Sequence, residues 1–149
     1  MQRPYKSSAW SYQIGDLIYV GPDETYLGIG SSIEVSPVRC AKLDDAVLLK
    51  RCILTAISEF KADLPTSQAD LTRRLPQPIL KAANLKSFKA LMAVAKCVGI
   101  VEWPDGRVEF TLTRNEGTRG GYATILPRET ALGEGDYAAA LIRAFSRCE

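Results

Sequence analysis

The chain contains no histidine. A Ser-His or Cys-His nucleophile pair is thereby excluded. The commonest metal ligand and the usual neutral-pH proton carrier are missing with it. Cysteine is sparse. Cys40, Cys52, Cys97 and Cys148 stand far apart, so no C-x-x-C spacing exists for a zinc knuckle or a redox pair. The spacing points to reduced, mostly buried thiols in a cytosolic protein. An excess of one charge is also lacking. Nineteen Lys and Arg face seventeen Asp and Glu, too even a balance to mark a nucleic-acid binder by its field alone. No apolar run approaches the roughly 20 residues that span a bilayer. The opening segment, MQRPYKSSAWSYQIGD, carries no apolar signal core, so secretion by the usual route is not expected.

What is present reads as one α+β domain over residues 1–149. Residues 1–40 are β-rich. Leu17–Val20 is an apolar run, with a turn expected at Gly21-Pro22-Asp23-Glu24 and a further strand over Ile33–Val38. A helix is expected over Leu43–Phe60, with Ala46, Leu49, Ile53, Ala56, Ile57 and Phe60 on one stripe and Asp44 and Asp45 at its start. Ala62–Pro65 ends it. Ser67 and Asp70 mark a short capped helix closed by Pro76 and Pro78, and Ile79–Ala83 adds a turn. Asn84 is read as the cap of a helix over Leu85–Ala95.

A hairpin follows, Cys97–Trp103 and Arg107–Arg114 around Pro104-Asp105-Gly106. The glycine-rich loop Asn115–Gly121 is read as mobile or closely approached by another backbone. Tyr122–Leu126 is a further strand, and a last helix runs from Gly135 to the end with Tyr137, Ala140, Leu141, Ala144, Phe145 and Cys148 buried. ILTAISEF (53–60) and LIRAFSRC (141–148) are faintly alike, as two helices packed on one sheet would be. The expected architecture is an antiparallel or mixed sheet packed by helices at 43–60, 85–95 and 135–148.

Leu85–Glu149 resembles the CdiI-type immunity proteins of bacterial contact-dependent growth inhibition. The matching order is Lys86-Ser87-Phe88 at a helix start, then Ala95-Lys96-Cys97-Val98 leading into a strand. The Asp105-Gly106 turn follows, then the polar run Arg114–Gly121, a strand opened by Tyr122, and a closing helix containing Ala140–Cys148. Residues Gly28–Phe60 match more loosely. The family's leucine-glycine start of the last helix is here Leu132-Gly133, set off by Glu134-Gly135. The resemblance implies a binding protein rather than an enzyme. It implies a cytoplasmic bacterial protein that neutralises the C-terminal toxin domain of a CdiA effector, often a nuclease, with no cofactor, metal, nucleic acid or membrane partner.

Inhibitors of nucleases offer carboxylates where the toxin meets phosphate. The candidates are Asp23-Glu24, then Glu102, Asp105 and Glu109 around the hairpin with Trp103 as an aromatic anchor, and Glu129 with Glu134 and Asp136. Trp10, Tyr12 and Tyr26 are read as core. A competing reading is a winged-helix nucleic-acid binder, with Ser67–Leu75 and Leu85–Ala95 as its helices and the 97–114 hairpin as its wing. Lys81, Lys86 and Lys89 would then face phosphates and Arg107 would sit near the wing tip. The long Pro-containing link between the helices argues against it. The RNEGTRGG loop has the glycines and arginines to hold an anion but lacks the P-loop pattern.

Overall fold

Strand β1 (Ser7–Ile14) sends its side chains alternately to two different cores. Ala9 joins an aliphatic cluster on one side, whereas Trp10 and Tyr12 anchor an aromatic cluster on the other. β1 is therefore buried along most of its length and lies inside the sheet. The computed structural model describes residues 4–73, 77–125, 128–132 and 136–149, with Asp70 and Arg73 described by their backbone alone.

Strands β2 (Leu17–Tyr26), β3 (Ile33–Glu34), β4 (Arg39–Lys42), β5 (Lys61–Leu64), β6 (Ala95–Glu102), β7 (Arg107–Thr111) and β10 (Glu129–Leu132) complete an eight-stranded sheet. Its order is β10-β7-β6-β1-β2-β3, with β4 and β5 also on β2. All its pairings are antiparallel except β2 with β5. Strands β8 (Thr113–Asn115) and β9 (Tyr122–Thr124) form a separate small ladder. The fold is α+β.

Helices α1 (Ala46–Ser58) and α6 (Tyr137–Arg147) cover one face of the sheet. Asp45 caps α1 by accepting from the Leu48 N–H at 3.1 Å. Leu49, Cys52, Ile53, Ala56 and Ile57 of α1 pack with Ala140, Leu141, Ala144 and Phe145 of α6 over Ile18, Val20, Ile100 and Phe110. The likeness of the two helical sequences thus reflects one shared surface. Ala46 and Phe60, expected on the α1 stripe, are not part of the buried core, and Cys148, expected on the stripe of the last helix, is only half-buried because α6 ends at Arg147.

The opposite face is covered in part by two short helices, α3 (Pro78–Ala82) and α4 (Phe88–Val94), through Ile79 and Leu91. Helix α2 (Thr66–Arg73) precedes them, and α5 (Gly117–Gly120) is a single turn.

Several expectations need correction. Gly21–Glu24 is not a turn but the middle of β2; the turn lies at Gly15-Asp16, where Gly15 has φ +59°. Gly21 is there because the Trp10 indole covers it, and a Cβ would lie 2.3 Å from the ring. Pairing between β1 and β2 stops at Pro22, and β2 continues beyond it along β3 and β5.

Asn84 does not cap the following helix. With φ +55° it ends α3, while its N–H reaches Lys81 O at 3.2 Å and that of Leu85 reaches Leu80 O at 2.8 Å, a Schellman closure. Ser87 caps α4 instead, accepting from Ala90 N, so that helix is shorter than the expected 85–95. Lys61–Leu64 forms β5 where only a helix end was expected, and β10 had no sequence signal. Cys40 is exposed, against the expectation of mostly buried thiols. The loop after β8 is tethered, Asn115 Nδ2 donating to Met92 O at 2.7 Å. Pro76, Leu126 and Gly133–Gly135 lie outside the described residues, as does the Arg73-Arg74 pair in its side chains.

The winged-helix geometry is absent from the hairpin: β6 pairs β1 as well as β7, and β7 pairs β10, so neither strand stands free as a wing. Among the described residues no helix is long and apolar enough to cross a membrane.

Trp10 sits between two cross-strand glycines, Gly21 on β2 and Gly99 on β6. A Cβ at Gly99 would meet only Thr111 at 3.6 Å, an ordinary contact. Gly21→Ala is expected to lower unfolding free energy in urea by about 1–3 kcal/mol through overpacking. Gly99→Ala is expected to be neutral or stabilising by up to about 1 kcal/mol. Equal effects would remove the role given to the indole.

Candidate functional site

On the face opposite α1 and α6, Trp10 and Tyr12 hold residues 32–38 against the sheet. Trp10 Nε1 donates to Val35 O at 3.1 Å, and the Tyr12 hydroxyl donates to the Glu34 carboxylate, 2.8 Å from Oε2 and 3.0 Å from Oε1. The Val35 N–H reaches Pro22 O at 3.0 Å. Behind Tyr12 an edge-on aromatic series runs through Tyr122 to Phe88, with centroid separations of 5.8 and 6.5 Å. The Tyr122 hydroxyl donates to Ala95 O. The held segment forms one wall of an open cavity of about 950 Å³. The other wall is Thr72 of α2 with Gln77, Pro78, Lys81 and Ala82 at α3.

Glu34 lines this cavity and stands directly across the β2–β3 ladder from Asp23. Asp23 is 6% exposed. Burial pushes its carboxyl up to about 7, opposed by the hydroxyl groups of Ser8 and Ser32. Burial likewise pushes Glu34 up to about 8, opposed by the Tyr12 hydrogen bond and reinforced by the charge of Asp23. Tyr12, Tyr122 and Cys97 are all shifted upward, chiefly by burial, and so remain neutral. The arrangement sets two carboxyls, both pushed upward by burial, opposite each other across the ladder, where they can accept hydrogen bonds or a cation. Among the described residues no group of three or more Cys, Asp or Glu is placed to hold a metal.

The candidate carboxylates fall in different places. Asp23 is in the buried pair. Its neighbour Glu24 instead accepts a hydrogen bond from the Tyr26 hydroxyl, which lies 3.0 Å from Thr72 Oγ1. At the hairpin, Glu102 and Glu109 occupy opposite faces. Glu102 accepts from Ser7 Oγ at 2.9 Å and lines a smaller cavity with Leu54 and Ile57 of α1. Glu109 lies between Arg107 at 3.4 Å and Arg128 at 2.9 Å, on the face shared with the carboxyl pair. Asp105 is exposed at the tip, where its Oδ1 accepts from the Arg107 N–H at 3.0 Å.

Trp103 is half-buried, with Arg107 Cζ 5.5 Å from its ring centroid. Among the described residues its indole N–H has no acceptor, and neither does Arg107 Nε. Glu129 is held below its usual range, first by Arg147 and also by Arg143, and Asp136 is 3.9 Å from Arg143. Glu134 lies outside the described residues. The hairpin set is therefore divided: Glu109 with Arg107, Arg128 and Trp103 makes a charge-compensated patch on one face, and Glu102 lies on the other. Glu34 was not among the sequence candidates; the polar position between Ile33 and Val35 was its only signal.

No protein-family model and no curated protein sequence matches this chain. Solved structures do share its fold. A protein of unknown function from Neisseria meningitidis superposes with a TM-score of 0.76 at 16% identity, covering 100% of this chain and 99% of that one. A chain of the CdiA-CT/CdiI toxin and immunity complex from Yersinia pseudotuberculosis superposes with a TM-score of 0.69 at 14% identity, covering 97% and 99%. The likeness extends over whole chains and is one of fold.

The buried carboxyl pair has a measurable signature. Unfolded, both groups lose their protons near pH 4; folded, they hold them to about pH 7 and 8. These two groups bind more protons in the folded chain across that window, so their contribution to stability is full below about pH 4 and is lost as pH rises through the folded values. Urea unfolding from pH 5 to 8 is expected to show a falling free energy, at most about 1.4 kcal/mol per pH unit for each proton. Asp23→Asn with Glu34→Gln is expected to flatten this slope. A wild-type stability that rises over the same range would contradict the assignment.

Proposed function

We propose that this chain is an immunity protein that binds the C-terminal toxin domain of a cognate CdiA effector and neutralises it in the cytoplasm of the producing bacterium. The observation that carries the reading is the whole-length fold match to a chain of a toxin and immunity complex. The sequence resemblance over Leu85–Glu149 supports it independently.

In this reading the chain acts by covering a surface of the toxin and performs no chemistry of its own. Its sheet face opposite α1 and α6 is the interaction surface. That face is only partly covered by α3 and α4, and it presents the cavity beside Glu34 as well as the Trp103-Arg107-Glu109 patch. Protection against a toxin that acts at low copy number needs nanomolar affinity, about −12 kcal/mol. Aromatic and arginine anchors supply most of such energies. The half-exposed Trp103 ring and Arg107 guanidinium are of the residue types that anchor such interfaces.

The test is growth protection. Cells expressing the CdiA C-terminal domain encoded immediately upstream of this chain's gene are expected to survive when the chain is co-expressed. Trp103→Ala is expected to weaken binding by at least about 2 kcal/mol, roughly 30-fold, with the fold intact by circular dichroism. Growth arrest caused by the chain alone, or unchanged toxicity in its presence, would falsify the reading.

A further inference from the structure

Among the described residues the carboxyl pair at the cavity is held by hydrogen bonds from hydroxyl groups. Among the described residues no ion pair reaches Asp23 or Glu34. Among the described residues the groups around the pair are hydroxyls and a thiol, with Lys81 lining the same cavity. Tyr12 of β1 donates to Glu34. Ser8 of β1 and Ser32 of the loop adjoin Asp23. Cys97 of β6 and Tyr122 of β9 stand behind Tyr12, neutral. Lys81 of α3 lines the opposite wall of the cavity, exposed to solvent.

The shape of the cavity is as telling as its charge. The lining is mixed: Val35, Val38, Pro78 and Ala82 supply apolar surface among Ser36, Thr72, Gln77 and Lys81, with the Glu34 carboxyl in the same cavity. Apolar surface beside a carboxylate suits a side chain with an aliphatic stem and a cationic head. The volume, about 950 Å³, accommodates such a side chain together with the backbone that bears it.

We propose that this cavity receives a Lys or Arg side chain of the toxin, with its stem against Val38 and Pro78 and its cation at Glu34, and that seating it expels a proton from the Glu34–Asp23 pair. The inference rests on the reading that the chain binds a protein toxin. The step is a simple ionisation: a carboxyl O–H bond breaks, its electron pair stays on oxygen, and the proton passes to the solvent buffer. Association thereby becomes a proton-linked event, tighter at neutral than at acidic pH. The same pair stabilises the free chain at acidic pH, so the site is stable without its occupant and receptive to it once deprotonated.

Calorimetry of the full chain with the CdiA C-terminal domain, at pH 6.5 in two buffers of different ionisation enthalpy, tests this directly. Roughly one proton is expected to be released per complex, with affinity rising about tenfold per pH unit between about pH 6 and 7. Asp23→Asn with Glu34→Gln is expected to abolish both the release and the pH slope; Glu34→Gln alone, should the double variant not fold, is expected to reduce both. Arg73→Ala with Arg74→Ala is expected to leave the release in place. If that variant loses it, the cation belongs to this chain and the proposal is overturned. Tight binding without proton release, or release that survives the double carboxyl variant, overturns the proposal and leaves the immunity reading standing. Absence of binding in both buffers overturns the two together.

Discussion

The alternation of β1 is the constraint on which the rest of the structure depends. One strand presents Ala9 and Ser11 to the helical side and Trp10 and Tyr12 to the other. The helical side is ordinary aliphatic packing, closed by α1 and α6, with Ser11 Oγ satisfied by Val98 O at 2.7 Å. The other side is organised by two aromatic residues with polar ends. Trp10 requires glycine at position 21 because its ring occupies the space of a side chain there. Its indole N–H and the Tyr12 hydroxyl then reach Val35 and Glu34, the groups that fix the 32–38 segment. A shift of β1 by one residue would exchange the two faces and dissolve both cores.

The two faces of the sheet are therefore covered unequally. Here the second face is covered by α3 and α4 over Trp10 and Tyr12, while the β6–β7 end carries half-buried polar groups such as Thr111, Glu109 and Arg107. The cavity lies between the held loop and α2–α3. Its carboxyl pair is held by hydroxyl donors, whereas the hairpin carboxylate Glu109 has two arginine partners. Exposed pairs of that kind contribute about 0–1 kcal/mol each. They set the shape and polarity of the patch more than the stability of the fold.

Much of the fold was legible in the sequence where a single periodicity dominated. Most of the α1 and α6 stripes, the hairpin with its Asp105-Gly106 turn as far as Thr111, and the burial of Trp10, Tyr12 and Tyr26 followed from local pattern, whereas the expected second arm to Arg114 breaks at Leu112 and continues as β8 on β9. What was not legible depended on distant partners. Gly21-Pro22-Asp23-Glu24 has turn chemistry, yet it is strand because Trp10 lies over Gly21 and β3 and β5 pair beyond Pro22. β10 buries only Ala131, so no apolar alternation announced it. Asn84 has the residue type of an N-cap and the backbone of a C-terminal closure. The carboxyl pair arises from the register Asp23↔Glu34, which no local feature of either segment encodes. At the hairpin, spacing put Glu102 and Glu109 in one patch, but strand alternation sends them to opposite faces.

The central claim is that this chain recognises a protein toxin and not a nucleic acid, and one titration addresses it most directly. The chain is titrated calorimetrically with the cognate CdiA C-terminal domain and, separately, with generic duplex DNA and RNA at low salt. The account predicts nanomolar one-to-one binding to the toxin domain and no signal with either nucleic acid. Salt-sensitive binding to nucleic acid with none to the toxin domain would contradict it.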